Sequence, residues 1–326
     1  MSGEGLRERI RKVPEENTPR ETEDENDADI REPIFGPMPT FPYQRFWTRM
    51  MLIFGTLLVV YFTSNNEKVV IFAKQNEKLN HRRQEIPCNK SYLYELTNLL
   101  GENEKVRCGR IVMDSIVNVQ EAKKLAEIAR KGLSLTGEPA GGASILDLHS
   151  GALSAGKNFV NLYALNVSGL YSNEDFDLYK TVRRKVHEAL AFSFDLPSEK
   201  LFLTKPTFFS RLTAKPPATV HDEYWHSHVD KETYESFHYT SLIYLNDFGI
   251  DFEGGRFVFD DPDNHTSIIE PKTARVLMFS SGGENIHRVE KVLSGQRFAI
   301  TISFTCDKRK AISDPSITRF GSSKSF

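Results

Sequence analysis

Apolar residues follow different rhythms in different parts of the chain. Residues 50–63 are almost continuously apolar. The stretch from Phe46 through Ser64, with Trp47 and Tyr61 near its ends, has about the length of one membrane-crossing helix, roughly 17 to 25 residues. Further on, Ala122, Leu125, Ala126 and Ala129 recur at helical spacing within 118–131, with Asn118 and Glu121 placed as a capping box. Tyr179, Val182, Val186 and Ala189 repeat the pattern within 172–192, behind Ser172 and Asp175. Past residue 206 the runs become short, β-branched and aromatic: 208–212, 240–245, 255–259, 275–279, 287–289 and 297–304. They are separated by turn-forming links such as Asp260-Asp261-Pro262-Asp263-Asn264. The pattern predicts an α+β protein whose strands form a sandwich or barrel buttressed by the preceding helices; a double-stranded β-helix, or jelly roll, is the expected form because it brings residues distant in sequence to one open mouth.

The first 45 residues differ in kind. Residues 15–32 are polar and strongly acidic, and Pro33, Pro37, Pro39 and Pro42 follow; such a segment cannot bury enough apolar surface to fold alone. The expected organisation is a disordered cytosolic tail (1–45), a signal-anchor helix (46–64), a luminal stem (65–110), a helical support region (111–205), a strand-rich domain (206–312) and a C-terminal tail (313–326).

The strand-rich domain holds the chemistry. His228 and Asp230 are two apart, so on an extended segment both side chains face one way and reach one ion. Far downstream stands His287, and ten residues later Arg297. Two imidazoles and one carboxylate form the set that holds Fe(II) on one face and leaves positions open. The absence of Cys beside either His argues against a zinc finger. Arg297 offers a planar fork of donors suited to a carboxylate, and Thr301 falls on the same strand face. Taken singly, each residue has an ordinary reading: His-x-Asp is a short motif among nine His, His287 a partly buried His, Arg297 a strand-edge charge. Their joint order is what points to a site.

His228-Val229-Asp230, Ser241-Leu242-Ile243-Tyr244-Leu245-Asn246, Gly254-Gly255-Arg256-Phe257, Val276-Leu277-Met278-Phe279-Ser280, His287-Arg288-Val289 and Arg297-Phe298-Ala299-Ile300-Thr301 together resemble the prolyl and lysyl hydroxylase branch of the 2-oxoglutarate oxygenases. The resemblance spans about residues 85 to 312. It implies His228, Asp230 and His287 as iron ligands, Arg297 as partner of the distal 2-oxoglutarate carboxylate, and Tyr244 and Thr301 as further hydrogen-bond donors to it. It also implies O2 as a reactant, ascorbate as an auxiliary, and a protein or peptide substrate hydroxylated with release of succinate and CO2. Where relatives often carry a Tyr on the strand before the triplet, this chain has Arg211.

Other residues read more plainly. His226 would share the face of His228 and orient a ligand; His238 and His265 fall in turn-like segments and are expected at the surface. Tyr224 and Trp225 flank the mouth. Asp147 and His149 read as a structural pair. Flanking charges, Arg45 and Arg49 before the apolar span and Lys68, Lys74 and Lys78 after it, leave the orientation open. Glycosylation sequons at Asn89, Asn166 and Asn264 and all three cysteines lie after the span. Cys88 and Cys108 are near enough to form a disulfide, leaving Cys306 unpaired, as suits an oxidising lumen. The expectation is a single-pass type II protein of the endoplasmic reticulum or Golgi. A net charge of −2 and no basic block give no support to nucleic-acid binding. The alternative function is a catalytically silent binding module in a membrane complex; a hydrolase using the same ligands leaves Arg297 without a role.

Overall fold

In the computed structural model the described residues are 40–63, 68–101, 105–138, 140–165, 167, 169–316 and 318. The acidic stretch and Asn166 lie outside them. The chain divides into two units after residue 64. In the first, helix α1 (Gln44–Thr63) has no buried residue. The hydroxyls of Thr48, Thr56 and Thr63 each donate to the carbonyl four residues back, at 2.8, 2.7 and 2.6 Å, so they present no unmet donor along this apolar helix.

The second unit runs through β1 (Lys68–Ala73), β2 (Arg82–Glu85), α2 (Lys90–Leu100), β3 (Gly109–Met113), α3 (Val119–Ser134), β4 (Ala143–Leu146), β5 (Ala152–Ala155), β6 (Asn158–Asn161) and α4 (Asn173–Phe194). It continues with β7 (Phe202–Thr213), α5 (Asp230–Thr233), β8 (Tyr239–Tyr244), β9 (Phe252–Gly254), β10 (Phe257–Asp261), β11 (His265–Ile269), β12 (Val276–Ser280), β13 (His287–Val289) and β14 (Val292–Thr305). One sheet has the order β2-β3-β12-β8-β14-β7-β4-β5-β6, with β9 pairing β14; the other has β1-β11-β10-β13. Pairing is antiparallel except between β1 and β11.

The expected capping boxes start α3 at Asn118 and α4 at Ser172. The segment 65–110, expected as a stem, instead supplies β1, β2 and β3 to the sheets, together with helix α2. Residues 111–205 likewise give strands as well as helices. Short polar strands such as Arg82-Arg83-Gln84-Glu85, half-buried except at Glu85, lack the apolar alternation by which a strand is recognised.

The larger sheet is covered on both faces. Phe298, Ile300, Ile302 and Phe304 of β14 pack with apolar residues of α2, α3 and α4. On the other face Leu242, Tyr244, Leu277, Phe279 and Ala299 pack with Phe257, Phe259 and Ile269 of the smaller sheet. Double burial explains why β8 and β12 are buried at every position.

Two cross-links tie the early segments in. Cys88 and Cys108 form a disulfide between the residues preceding α2 and β3. Arg275, fully buried, donates through Nε and Nη2 to Asp114 at 2.8 and 3.0 Å, and through Nη1 and Nη2 to the carbonyls of Lys74, Glu270 and Glu77. Cys306 is free and buried.

Candidate metal and cosubstrate site

His228 and His287 face each other as a backbone-paired couple, each N–H donating to the other's carbonyl at 2.9 and 3.0 Å. The pairing leaves their rings 4.4 Å apart. The extended conformation expected over 228–230 stops at Val229, since Asp230 opens the short helix α5. Val229 is still extended, so Asp230 turns back toward the two rings. Its Oδ1 lies 3.7 Å from His228 Nε2 and 3.6 Å from His287 Nε2. One ligand atom from each residue falls within 4.8 Å of the others.

The surroundings fix which atoms face inward. His228 Nδ1 is 3.0 Å from the carbonyl of His226, and His287 Nδ1 is 2.9 Å from that of Asn285. A carbonyl only accepts, so both Nδ1 atoms hold the proton and both Nε2 lone pairs point to the common centre. Burial lowers the His287 pKa against the opposing pull of Asp230, which keeps the ring neutral as a metal requires. Thr240 Oγ1 donates to Asp230 Oδ2 at 2.5 Å, and Thr240 in turn meets Ser281 at 2.9 Å. This leaves Oδ1 free for an ion. Thr240 carries no motif of its own; its place on the same β8 face as Tyr244, four residues on, is the only signal that could have marked it.

Arg297 lies at the other end of this face and is 2% exposed. Across the sheet Ala299 pairs with Tyr244 and Thr301 with Leu242, so Arg297, Ala299 and Thr301 share one face with Tyr244. The guanidinium carbon is 5.4 Å from the centre of the Tyr244 ring. Among the described residues, Arg297 Nε and Nη2 and the Tyr244 hydroxyl meet no hydrogen-bond partner. Burial lowers the Arg297 pKa and raises that of Tyr244. A buried guanidinium with two unmet nitrogens and a buried hydroxyl without a partner fit a carboxylate ligand, which supplies a counter-charge and acceptors at once. Gly255, at φ +63°, lies against the stem of this arginine: a Cβ there would sit 3.1 Å from Arg297 Cδ.

The remaining candidates lie outside the His/Asp/His cluster. Arg211 pairs with Phe298, and Leu212 with Arg297; neighbours on a strand point opposite ways, so Arg211 faces the helices and does not line this pocket. Nearer is Tyr224, whose hydroxyl accepts from Val292 N–H at 2.9 Å and whose proximity to Arg297 helps offset the effect of its burial. Trp225 packs under Lys291 Nζ at 4.0 Å. His226 is exposed, its ring bonded to Glu223, and it serves His228 through its carbonyl rather than its imidazole. His238, expected at the surface, is 1% exposed. Its ring meets Glu95, 143 residues away, which no local pattern reveals. Asp147 caps the turn before His149, whose ring meets Tyr179. Asn89 and Asn264 are exposed.

Residues 217–305 match the model of the 2OG-Fe(II) oxygenase superfamily. The chain therefore carries an oxygenase domain of this superfamily, whose members use Fe(II), 2-oxoglutarate and O2. It is 50% identical over 252 residues to 2-oxoglutarate and iron-dependent oxygenase domain-containing protein 3 of Xenopus tropicalis, covering 76% of this chain and 78% of the relative. The human protein of that name is 48% identical over 75% of this chain and 76% of its own length. The chain belongs to the family of 2-oxoglutarate and iron-dependent oxygenase domain-containing protein 3. A shorter likeness, 49% identity over 21% of the chain, is to prolyl 3-hydroxylase 2 of Rattus norvegicus, of which it covers 10%.

Proposed function

We propose that the protein is a 2-oxoglutarate-dependent dioxygenase that hydroxylates a protein or peptide side chain. His228, Asp230 and His287 would hold Fe(II), and Arg297 with Tyr244 would take the far carboxylate of 2-oxoglutarate, with Thr301 on the same face. The bound iron, 2-oxoglutarate and O2 supply an oxidation that converts 2-oxoglutarate to succinate and CO2 while a substrate C–H bond is hydroxylated. The chain's own part is geometric. The carbonyls of His226 and Asn285 orient the two imidazoles, Thr240 aims Asp230, and the apolar wall of Phe257, Phe259 and Phe279 around His287 keeps water from that side.

The observation that carries this reading is the pairing of an intact His/Asp/His cluster with a buried arginine that has no carboxylate partner among the described residues. A silent binding module has no use for that combination. The likeness to prolyl 3-hydroxylase 2 supports a protein substrate. We read the two sheets as the jelly-roll core expected from the strand pattern. Helix α1, apolar and without a buried residue, supports a single-pass anchor, and the Cys88–Cys108 disulfide supports a luminal, type II placement with glycans at Asn89 and Asn264.

The test is succinate release from 2-oxoglutarate by the full-length chain in detergent, with Fe(II), O2 and ascorbate. His228→Ala is expected to lower turnover by more than about 100-fold, since loss of a ligand exceeds the 10–100-fold cost typical of a supporting partner. Equal turnover from both proteins would overturn the iron assignment.

A further inference from the structure

We infer that helix α2 positions the metal ligand Asp230, with Glu95 as the positioning residue; the inference rests on reading the His/Asp/His cluster as the iron site. Lys231 directly follows Asp230 in the four-residue helix α5. Its Nζ is held 2.7 Å from Glu95 Oε1 on α2 and also donates to the carbonyl of Glu235. The same Glu95 oxygen lies 2.9 Å from His238 Nε2. Cys306 N–H donates to His238 Nδ1 at 2.9 Å, so the imidazole has its proton on Nε2 and gives it to Glu95. One carboxylate oxygen thus gathers a lysine and a buried histidine.

A second route runs beside the first. Tyr92, three residues before Glu95 and therefore on the same helix face, donates from its hydroxyl to the carbonyl of His238. That carbonyl also accepts from Ser281 N–H at 3.0 Å. Ser281 returns the connection: its own carbonyl takes Lys231 N–H at 3.0 Å, and its hydroxyl meets Thr240, which holds Asp230 Oδ2. Helix α2 therefore reaches Asp230 through the side chain of Lys231 and again through Ser281 and Thr240. The helix itself is fixed at its start by the Asn89 cap and the adjoining Cys88–Cys108 disulfide, and along its length by buried Tyr92, Leu96 and Leu100.

Stability alone does not account for this arrangement. The Glu95 side chain is 42% exposed, and an ion pair that open to water adds little to folding. Its effect is to choose one position for the turn that presents Asp230, and a carboxylate offered to a metal in one orientation binds more tightly than one that must be ordered first.

The test is Co(II) binding by the full-length chain in detergent, followed by equilibrium dialysis and by the visible absorption of the bound ion. Glu95→Ala is expected to weaken Co(II) binding about 10- to 100-fold, the range for partners of ligating residues, and to alter the absorption spectrum. Glu95→Gln, which keeps an acceptor for both Lys231 and His238, should stay within about 3-fold of the parent. A folded Glu95→Ala protein with parental affinity and spectrum would overturn the inference while leaving the iron site standing. Should Glu95→Ala fail to fold, Lys231→Met cuts the same link from the other side and has the same expected loss. A parent chain that binds no Co(II) would remove the iron reading itself, and this inference with it.

Discussion

Arg275 and Arg297 are both enclosed in the same domain, and they could hardly be treated more differently. Arg275 has a bidentate carboxylate and three carbonyls around its fork. Arg297 has an aromatic ring beside it and, at Nε and Nη2, no acceptor among the described residues. A buried charge normally comes with its partners, because desolvating it alone is costly. The first arginine is therefore part of the fold, and in the proposed reading the second is completed by the cosubstrate carboxylate. Burial alone does not separate a structural charge from a functional one; partner bookkeeping does.

The sharpest way to break this contrast is Arg275→Met. It leaves Asp114 buried without its cation, and the expected loss is about 3–5 kcal/mol. For a domain of this size that is on the order of 10 °C in melting temperature, read by circular dichroism. A change of under about 2 °C would mean that Arg275 is no more structural than Arg297.

A second buried group with its partners in place sharpens the comparison through pH. Burial and the neighbouring Lys231 push the His238 pKa down to about 4, against the opposing pull of Glu95 and Asp307. Between the ordinary value of 6.5 and about 4, the unfolded chain binds a proton that the folded one refuses. Stability from this group is therefore full above pH 6.5 and lost as pH falls through that window. At about 1.4 kcal/mol per unit the loss is on the order of 3 kcal/mol. Urea midpoints measured from pH 7 to 4 should fall less steeply for His238→Gln than for the parent; identical slopes would contradict the assignment.

The smallest effect is expected at Arg297, and it should have the opposite signature. Arg297→Met is expected to raise the KM for 2-oxoglutarate about 10- to 150-fold, as for loss of hydrogen bonds to a charged group of about 1.5–3 kcal/mol. The melting temperature without cosubstrate should hold or rise, since an unpaired buried charge is gone. The upward shift that 2-oxoglutarate gives the parent should vanish. A drop in melting temperature like that of Arg275→Met would erase the distinction between the two arginines.

How much of this could be seen in the sequence depends on how far each feature reaches along the chain. Helices α3 and α4 were legible because caps and apolar stripes are local, and Asn118/Glu121 and Ser172/Asp175 announce their own ends. His228, Asp230, His287 and Arg297 were legible as an ordered set of residue types with a shared chemistry. Helix α2 was not, because its buried stripe is only Tyr92, Leu96 and Leu100 in a short, otherwise polar segment. His238 was read as exposed for the same kind of reason: Ser236, Phe237 and Tyr239 around it say nothing of a glutamate far back in the chain. Arg211 stands where relatives often carry a Tyr, yet strand parity, fixed only by pairing with β14, turns it away from the pocket.

Strand β8 holds Thr240 at the His/Asp/His end of the candidate site and Tyr244 at the Arg297 end, on one face and locked between β12 and β14. Four residues of extended chain measure about 13 Å, and a strand braced on both sides does not stretch. In the proposed enzyme this makes the backbone a gauge for the cosubstrate. A dicarboxylate one carbon shorter or longer, anchored at one end, would fall short of the other or overrun it, so selection by length follows from strand pitch rather than from any single side chain.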